Sequence, residues 1–270
     1  MNLKSIVMVA SAVTAGFSMA AEYSSGVKLC QVEVTNSTSD AVISVPVLGM
    51  TTDAVNPANL ILTNGMASGD YMYANVDGTR KAWAFNGTTW VGTLIVVDEN
   101  PENVVGVDIA GAESSDTIAR GDSIWLHRKS DRQSASGSIY LWGRVATNAC
   151  DMTTAAGFTM IGNPTLDEYS LLEIPWGTTK PAVGDQIMTI DGTKTTGVGA
   201  TYTCTNSVPA VWISKAKNEQ GKLVKTTLDA GTAPKFGPGE GFYYKATGTA
   251  PTINSPAPAA NKSALKWDSK

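Results

Sequence analysis

The sequence predicts an all-β fold made of two homologous antiparallel units, each a small sandwich or open barrel. The segment Gly184–Lys194, GDQIMTIDGTK, repeats the pattern of Gly69–Arg80, GDYMYANVDGTR, 115 residues later. The composition is rich in Gly, Thr, Ser, Val and Ala, which suits strands and tight turns. The pairs Asp77-Gly78 and Asn86-Gly87 lie between β-branched and aromatic runs, and such pairs are the strongest short signals for β-hairpins.

Two repeat units are predicted, at residues 21–146 and 147–246, either in tandem or merged around a pseudo-twofold axis. Gly237–Lys245 of the second corresponds to Arg120–Arg128 of the first. In both, a Gly-acid pair leads into an aromatic strand that ends in a basic residue. Residues 247–270 are mostly Pro, Ala, Ser and Thr, and we expect them to be a flexible tail.

Alternation and turn residues place the strands within the units. The clearest are three that form a meander, Tyr71–Val76, Thr79–Phe85 and Thr88–Asp98. Period-two alternation puts Trp83 and Phe85 on one face of this meander. Further strands are predicted at Val32–Val34, Ala41–Val47, Ser123–Arg128, Ser138–Val145, Gly157–Gly162, Ala200–Thr205, Ala210–Ala216 and Lys222–Leu228.

The first twenty residues have the features of a signal peptide. Lys4 supplies a positive charge, and Ile6–Ala15 is apolar but too short to span a bilayer. Ser18-Met19-Ala20 fits the rule for cleavage after small residues. We therefore expect residues 1–20 to be removed and the mature chain to be secreted or held in the cell envelope. No later stretch reaches about 18 apolar residues, so no membrane insertion of the mature chain is expected.

The charge pattern argues against nucleic acid as a partner. The formal net charge is −4, and only 16% of the residues are charged. Affinity for nucleic acid comes mainly from clustered Lys and Arg, which this sequence lacks. It also lacks the basic amphipathic face that favours anionic membranes.

Seven tryptophans are many for a chain of this length. Trp83, Trp125 and Trp212 lie in alternating strands, where burial is expected. Trp176 lies in the turn-like Pro175–Gly177 and is expected to be exposed. Because exposed aromatic side chains stack on sugar rings in carbohydrate-binding β-sandwiches, Trp176 is the predicted ligand-binding residue.

No cofactor is expected, with calcium as the alternative. A zinc site of the usual type is disfavoured, because the chain has one histidine and no Cys-x-x-Cys. Calcium prefers carboxylate and carbonyl oxygens on loops. The densest acidic cluster consists of Asp98, Glu99, Glu102 and Asp108, and these residues form the predicted metal site.

The chain has three cysteines, Cys30, Cys150 and Cys204. In an oxidising compartment one disulfide and one free thiol are expected. Cys30 and Cys150 precede equivalent strands of different units, which would lie far apart, whereas a disulfide needs Cα atoms within about 7 Å. The predicted disulfide is therefore Cys150–Cys204.

No catalytic residues are predicted. The single histidine, His127, lies on a strand, and no nucleophile-elbow motif accompanies it. The recurring carboxylates Asp70 and Asp185, and Asp77 and Asp191, could serve a glycoside hydrolase as an acid–base pair. Turn chemistry explains them better, because Asp beside Gly caps its own backbone and tolerates positive φ.

Two runs in the second half carry a resemblance to a known group of proteins. Ala156–Pro164, AGFTMIGNP, and Gly237–Tyr244, GPGEGFYY, resemble the strands that open and close the secreted β-repeat modules of planctomycete, verrucomicrobial and lentisphaeral bacteria. The first half departs from this pattern at Ser39–Val42 and Arg120–Ser123. The resemblance implies β architecture and export, and it implies no catalytic residues.

The sequence thus predicts a non-catalytic exported protein, structural or associated with the cell surface. Its expected partners are copies of itself or other surface proteins. The alternative is a carbohydrate-binding module that holds a polysaccharide on exposed aromatic side chains. The second alternative is a glycan-active hydrolase.

Overall fold

The computed structural model describes residues 19–22, 28–36, 40–61, 66–94, 109–128, 137–190, 198–217 and 220–256. The regular structure is almost entirely β, and all strand ladders but one in these ranges are antiparallel. Within the same ranges, helical structure is limited to α1 at Pro57–Leu60 and a 3-10 turn at Leu171–Glu173. The predicted all-β antiparallel fold is confirmed.

The first unit is a sandwich of two sheets. Strands β3, β8, β4, β5 and β6 form the larger sheet in that spatial order, with β7 beside β5, and β1, β2 and β9 form the smaller one. Side chains of both sheets share one core, which includes Ile124, Leu126, Ile139 and Leu141. The strands are β1 Met19–Glu22, β2 Lys28–Asn36, β3 Asp40–Ser44, β4 Tyr71–Val76, β5 Thr79–Phe85, β6 Trp90–Gly92, β7 Ala110–Gly111, β8 Ser123–His127 and β9 Gly137–Arg144.

The second unit has one large sheet and two short ladders. The large sheet has the order β11-β18-β13-β14-β15-β16, while β10 pairs with β19 and β12 with β17. Met152, Phe242, Tyr244 and Ile253 lie in its buried core. The strands are β10 Cys150–Thr153, β11 Gly157–Gly162, β12 Tyr169–Ser170, β13 Gln186–Ile190, β14 Val198–Ser207, β15 Ala210–Lys217, β16 Leu223–Thr227, β17 Lys235–Phe236, β18 Gly241–Ala246 and β19 Thr252–Ser255.

The two units share one order of elements. The sheet order β3-β8-β4-β5-β6 of the first has the counterpart β11-β18-β13-β14-β15 in the second, which adds β16 at its edge. The pair β2 and β9 corresponds to the pair β10 and β19. The helix α1 follows β3 as the 3-10 turn follows β11. The homology of the units stays a prediction, and this shared order supports it.

The second unit extends into the segment predicted to be a flexible tail. β19 pairs with β10 from Cys150–Ser255 to Thr153–Thr252, and Ile253 is fully buried. The predicted tail therefore begins too early, because one apolar side chain and a complete ladder hold residues 252–255 in the fold. Residues 257–270 lie outside the described ranges.

The predicted meander is present as β4, β5 and β6. Asp77 and Gly78 have φ angles of 48° and 80°, as the type I′ turn between β4 and β5 requires. The connection at Asn86 is longer than a two-residue turn. The Asn86 side-chain oxygen accepts hydrogen bonds from the amides of Thr88 and Thr89, each at 2.9 Å. β6 consequently begins at Trp90, two residues later than predicted, and residues 95–98 of the predicted strand lie outside the described ranges.

Four tight turns of one kind precede the strands β4, β8, β13 and β18. In each, a carboxylate accepts the N–H of the residue three positions earlier, at 2.8–2.9 Å. The preceding glycine has a φ angle between 76° and 97°, which a type II turn requires at its third position. We call these the acid-closed turns, and they end at Asp70, Asp122, Asp185 and Glu240. The turn chemistry predicted for Asp70 and Asp185 is therefore present, whereas Asp191 lies outside the described residues.

The two large sheets meet edge to edge. Ile43 of β3 forms an antiparallel bridge with Glu240, and Ile161 of β11 forms one with Asp122. Ile43 and Ile161 occupy the same place in their strands, and Asp122 and Glu240 both close the turn before the neighbouring strand. The junction therefore joins equivalent positions and has approximate twofold symmetry.

Candidate functional site

Strand β8 has one apolar face and one aromatic face. Ile124 and Leu126 are fully buried, and Trp125 and His127 point to the opposite side and are half-buried. Successive side chains of a strand alternate between the faces of a sheet. The core takes the aliphatic side chains, and the aromatic ones are left on the outer face of the sandwich.

The neighbouring strands repeat this arrangement. Met72 and Ala74 of β4 are fully buried, whereas Tyr71 and Tyr73 are half-buried on the outer face. In the second unit Tyr243 of β18 has the same orientation, since Phe242 and Tyr244 on either side of it are fully buried. Phe158 of β11 is 60% exposed.

Four of these rings form a continuous series of contacts that crosses the junction between the units. The ring centroids of Tyr73 and Trp125 are 5.9 Å apart and their planes differ by 9°. Trp125 of the first unit lies 5.7 Å from Tyr243 of the second, and Tyr243 lies 6.4 Å from Phe158. We call these four residues the aromatic row.

A cation lies over each end of the aromatic row. The guanidinium carbon of Arg80 is 5.9 Å from the ring centroid of Tyr73, and the Lys245 ammonium is 5.1 Å from that of Phe158. A cation over an aromatic ring is attracted by the negative face of the ring. The row is thus a half-exposed series of aromatic rings with a cation over the first and the last, and its rings are tilted by 48° and 88° in the two contacts that involve Tyr243.

A separate cleft of about 460 Å³ lies beside the acid-closed turn that ends at Asp122. Four aspartates line it, and three of them are held by other groups. Asp53 pairs with Arg144 at 2.9 Å, Asp122 accepts the Ala119 amide at 2.8 Å, and Asp151 accepts the Asn254 amide group at 2.7 Å. The fourth is Asp77, in the β4–β5 turn.

Burial shifts two groups of this cleft towards their neutral forms, and a third group is hydrogen-bonded. Burial raises the pKa of Asp122 above its ordinary value, against the lowering effect of the Ala119 amide. Burial also raises the pKa of the Cys150 thiol, which disfavours the reactive thiolate. Arg120 is 7% exposed, and its guanidinium donates to the Asn148 carbonyl at 2.7 Å.

Trp176, the predicted ligand-binding residue, is not an exposed side chain. It is half-buried at the side of the second core, with its ring stacked 6.1 Å from that of Trp212 and tilted 5.6 Å from that of Tyr244. Its backbone forms a bridge with Ile253 of β19. The Pro175–Gly177 segment is extended rather than a turn, because the Gly177 amide also donates to the Thr252 carbonyl at 2.7 Å, and this pairing holds the ring against the core.

Replacing Trp176 with alanine is expected to lower the free energy of unfolding by about 2 kcal/mol, because a half-buried ring and two ring contacts are lost. Urea denaturation measures this value. Leu172→Ala is the control, since Leu172 is 39% exposed and lies in the 3-10 turn of the same unit. Unchanged stability would make Trp176 a candidate for ligand binding again.

The predicted calcium site at Asp98, Glu99, Glu102 and Asp108 lies outside the described residues. Among the residues that are described, no group of three or more His, Cys, Asp or Glu side chains is placed to hold a metal ion.

The predicted Cys150–Cys204 disulfide is not formed. Both thiols are buried and free, and each donates to a different backbone carbonyl. Cys150 donates to Arg120 at 3.0 Å, and Cys204 donates to Asn206 at 3.0 Å. The prediction was wrong because β10 and β14 belong to different ladders of the second unit, a separation that sequence spacing does not show. Burial raises the pKa of Cys204 as well.

The aromatic row was missed by the sequence reasoning, although its signal is present. Trp125 lies in a predicted alternating strand, but the prediction for it is burial. Ile124 and Leu126 alternate with it, and only one face of the strand can face the core. The same alternation of aliphatic and aromatic residues recurs in Tyr71–Val76. Trp83 and Trp212, also predicted to be buried, are 2% and 1% exposed.

Comparison of the chain with protein-family models, with curated proteins and with solved structures gave no match. The resemblance to secreted β-repeat modules therefore stays a prediction. In the described part of the chain, no helix has the length and apolar character needed to cross a membrane.

Proposed function

We propose that this chain is a non-catalytic exported interaction protein, structural or surface-associated, whose binding surface is the aromatic row. The observation that carries the proposal is the series Tyr73–Trp125–Tyr243–Phe158, half-exposed across both units. Aromatic residues are enriched at protein interfaces, and grouped exposed apolar side chains mark interaction sites. Neither of the two clefts described for this chain includes the row, so the surface suits an extended partner.

We also propose that the two units arose by duplication. Their common sheet order, their four acid-closed turns and the symmetric bridges of the junction support this origin. The row takes two rings from each unit. Binding therefore depends on the joined pair, and one unit alone would carry half of the surface.

Export is a further part of the proposal and rests on the signal-peptide features of residues 1–20. β1 contains Ala20, the residue after which cleavage is predicted, and pairs with β2 from Met19–Gln31 to Glu22–Lys28. Cleavage there would remove the first two residues of β1. The strands β2 and β9 would keep their own eight-residue ladder.

A hydrolase receives less support than a binding protein. Glycoside hydrolysis needs two carboxylates free to act on the sugar. In the cleft beside Asp122, three aspartates have an oxygen bonded to an internal donor, as described above. The aromatic row therefore supports carbohydrate binding without hydrolysis.

The test compares the full chain with its Trp125→Ala variant in a glycan array and in size-exclusion chromatography with light scattering. We expect the unaltered chain to bind a glycan or to self-associate, and Trp125→Ala to abolish this while the variant stays folded at the assay temperature. Its melting temperature should fall as that of Trp176→Ala does, because it too loses a half-buried ring and two ring contacts, so Trp176→Ala controls for lost stability. Tyr73→Leu tests the row with a smaller change in volume. Leu172→Ala is the control and is expected to bind normally. Binding that survives both row variants would overturn the proposal.

A further inference from the structure

The charged residues of this chain are unevenly distributed over the fold. The formal net charge is −4. As the structure describes them, the strands of the two large sheets nevertheless contain a single acidic residue, Asp40, which pairs in register with His127. The other acidic residues of the described ranges lie in turns and connections or in the smaller ladders. The basic residues of the large-sheet strands are Arg80, Lys81, Lys215, Lys217, Lys225 and Lys245.

The strand register places several of these basic residues on the same face of the sheet as the aromatic row. Lys245 is two residues from Tyr243 and therefore shares its face. Directly paired residues of neighbouring strands also share a face. Lys245 pairs with Gln186, Gln186 with Thr203, and Thr203 with Ile213, so all four side chains lie on one face of the sheet. Lys215 lies two residues beyond Ile213, is exposed, and pairs with the exposed Lys225.

We propose that this outer face binds an acidic polysaccharide. The aromatic row packs against the C–H-lined faces of successive sugar rings, and Arg80, Lys245, Lys215 and Lys225 pair with their carboxylates. This inference rests on the proposed function and names the ligand class of the same surface.

Two features favour this ligand over other partners. Sugar C–H groups carry a partial positive charge and are attracted to the negative face of an aromatic ring. The four rings contact one another in series at centroid distances of 5.7–6.4 Å and line neither of the two described clefts, which suits a polymer that lies over the sheet. Nucleic acid also offers flat rings and negative charge, and binding of RNA is therefore one of the outcomes that the experiment distinguishes.

Ion pairs with the basic residues and packing on the aromatic row contribute separately to the binding affinity. Exposed ion pairs are individually weak and are screened by salt. Packing on the aromatic row depends little on ionic strength. Affinity should therefore fall as salt is added but should not disappear.

The experiment measures binding of the full chain to polygalacturonate, alginate and hyaluronate, with fully methyl-esterified polygalacturonate as the uncharged comparison. We expect binding to at least one acidic polymer and binding to the ester about a hundredfold weaker than to polygalacturonate, the equivalent of four exposed ion pairs. The Lys215→Gln, Lys245→Gln double variant should lower affinity for the acidic polymer about tenfold, the equivalent of two exposed ion pairs. Its affinity for the ester should not change.

Lys235→Gln is the matched control, because Lys235 is an exposed lysine of the second unit that pairs with Glu168 at 3.0 Å. If the chain binds the ester and the acidic polymer equally, and Trp125→Ala loses both, the proposal of an acidic ligand is wrong but the proposed function stands. Binding to single-stranded RNA without binding to any acidic polymer would also overturn the proposal of an acidic ligand. Binding to acidic polymers that survives Trp125→Ala and Tyr73→Leu would overturn both proposals.

Discussion

Replacing Asp185 with asparagine is expected to lower the free energy of unfolding by about 3 kcal/mol. The Asp185 side chain is fully buried and accepts four hydrogen bonds. They come from the Tyr244 hydroxyl at 2.5 Å, the Thr247 amide at 2.7 Å, and the Thr247 hydroxyl and the Ala182 amide at 2.8 Å each. An asparagine NH₂ group would face donors at one of these two oxygen positions, so the loss includes a buried donor without an acceptor.

The same carboxylate is expected to make stability dependent on pH. Burial raises the pKa of Asp185, but the hydrogen bonds from Tyr244, Thr247 and Ala182 outweigh burial and leave this pKa below its ordinary value. A depressed folded-state pKa contributes stability that is complete above the unfolded value of about 3.9 and is lost as pH falls through the folded value. Denaturant unfolding between pH 7 and pH 2 should show this loss.

The Asp185→Asn variant should lack this part of the acid dependence, since it has no carboxyl group to titrate. Glu113→Gln is the control, because Glu113 is an exposed side chain and its replacement should change stability by less than about 0.5 kcal/mol. If Asp185→Asn and Glu113→Gln have equal effects, the four-donor environment of Asp185 does not stabilise the fold.

Replacing Gly241 with alanine is expected to destabilise the chain by about 3 kcal/mol, because the junction has no room for a methyl group. A Cβ at this position would lie 2.5 Å from Val42 Cγ1 and 2.9 Å from the Val42 carbonyl carbon and oxygen. Val42 belongs to β3 of the first unit, and a backbone carbonyl cannot move aside as a flexible side chain can. Differential scanning calorimetry of the variant measures the loss.

Gly248→Ala is the matched control for the junction. A Cβ at Gly248 would meet nothing within 4 Å, and the residue belongs to the same unit as Gly241. The control should melt at the temperature of the unaltered chain. Equal melting temperatures for the two variants would contradict the close contact of β18 with β3. A lowered melting temperature with weaker ligand binding in Gly241→Ala is the expected pattern, since the aromatic row crosses the same contact.

Much of the fold could be predicted from local sequence because turn chemistry and alternation are local properties. The Asp77-Gly78 turn fixes the β4–β5 hairpin through two positive φ angles. Trp83 and Phe85 lie on one face of β5 as predicted and pack in the first core, where Phe85 meets Trp90 at 5.4 Å. The repeated Gly-acid pairs identified the starts of strands in both halves.

The remaining features depend on contacts between distant segments. Ile253 is a single apolar residue in a polar segment, and only its pairing with β10 shows that it belongs to the core. Trp176 was placed in solvent because its neighbours are turn residues, but Trp212 and Tyr244 reach it from other strands. The outer position of Trp125 was predictable in principle, whereas its contact with Tyr243 required knowledge of how the two sheets meet.

The symmetry of the junction bears on how such a surface could have originated. Trp125 and Tyr243 occupy equivalent places in β8 and β18, and they contact each other across the approximate twofold axis. In a symmetric homodimer, a residue at the axis contacts its own copy. Under the proposed duplication, the ancestor is a homodimer of single units that placed two identical aromatic side chains at its centre. Fusion of the genes then freed the two halves to diverge, and lysines accumulated on one side of a surface that began as symmetric.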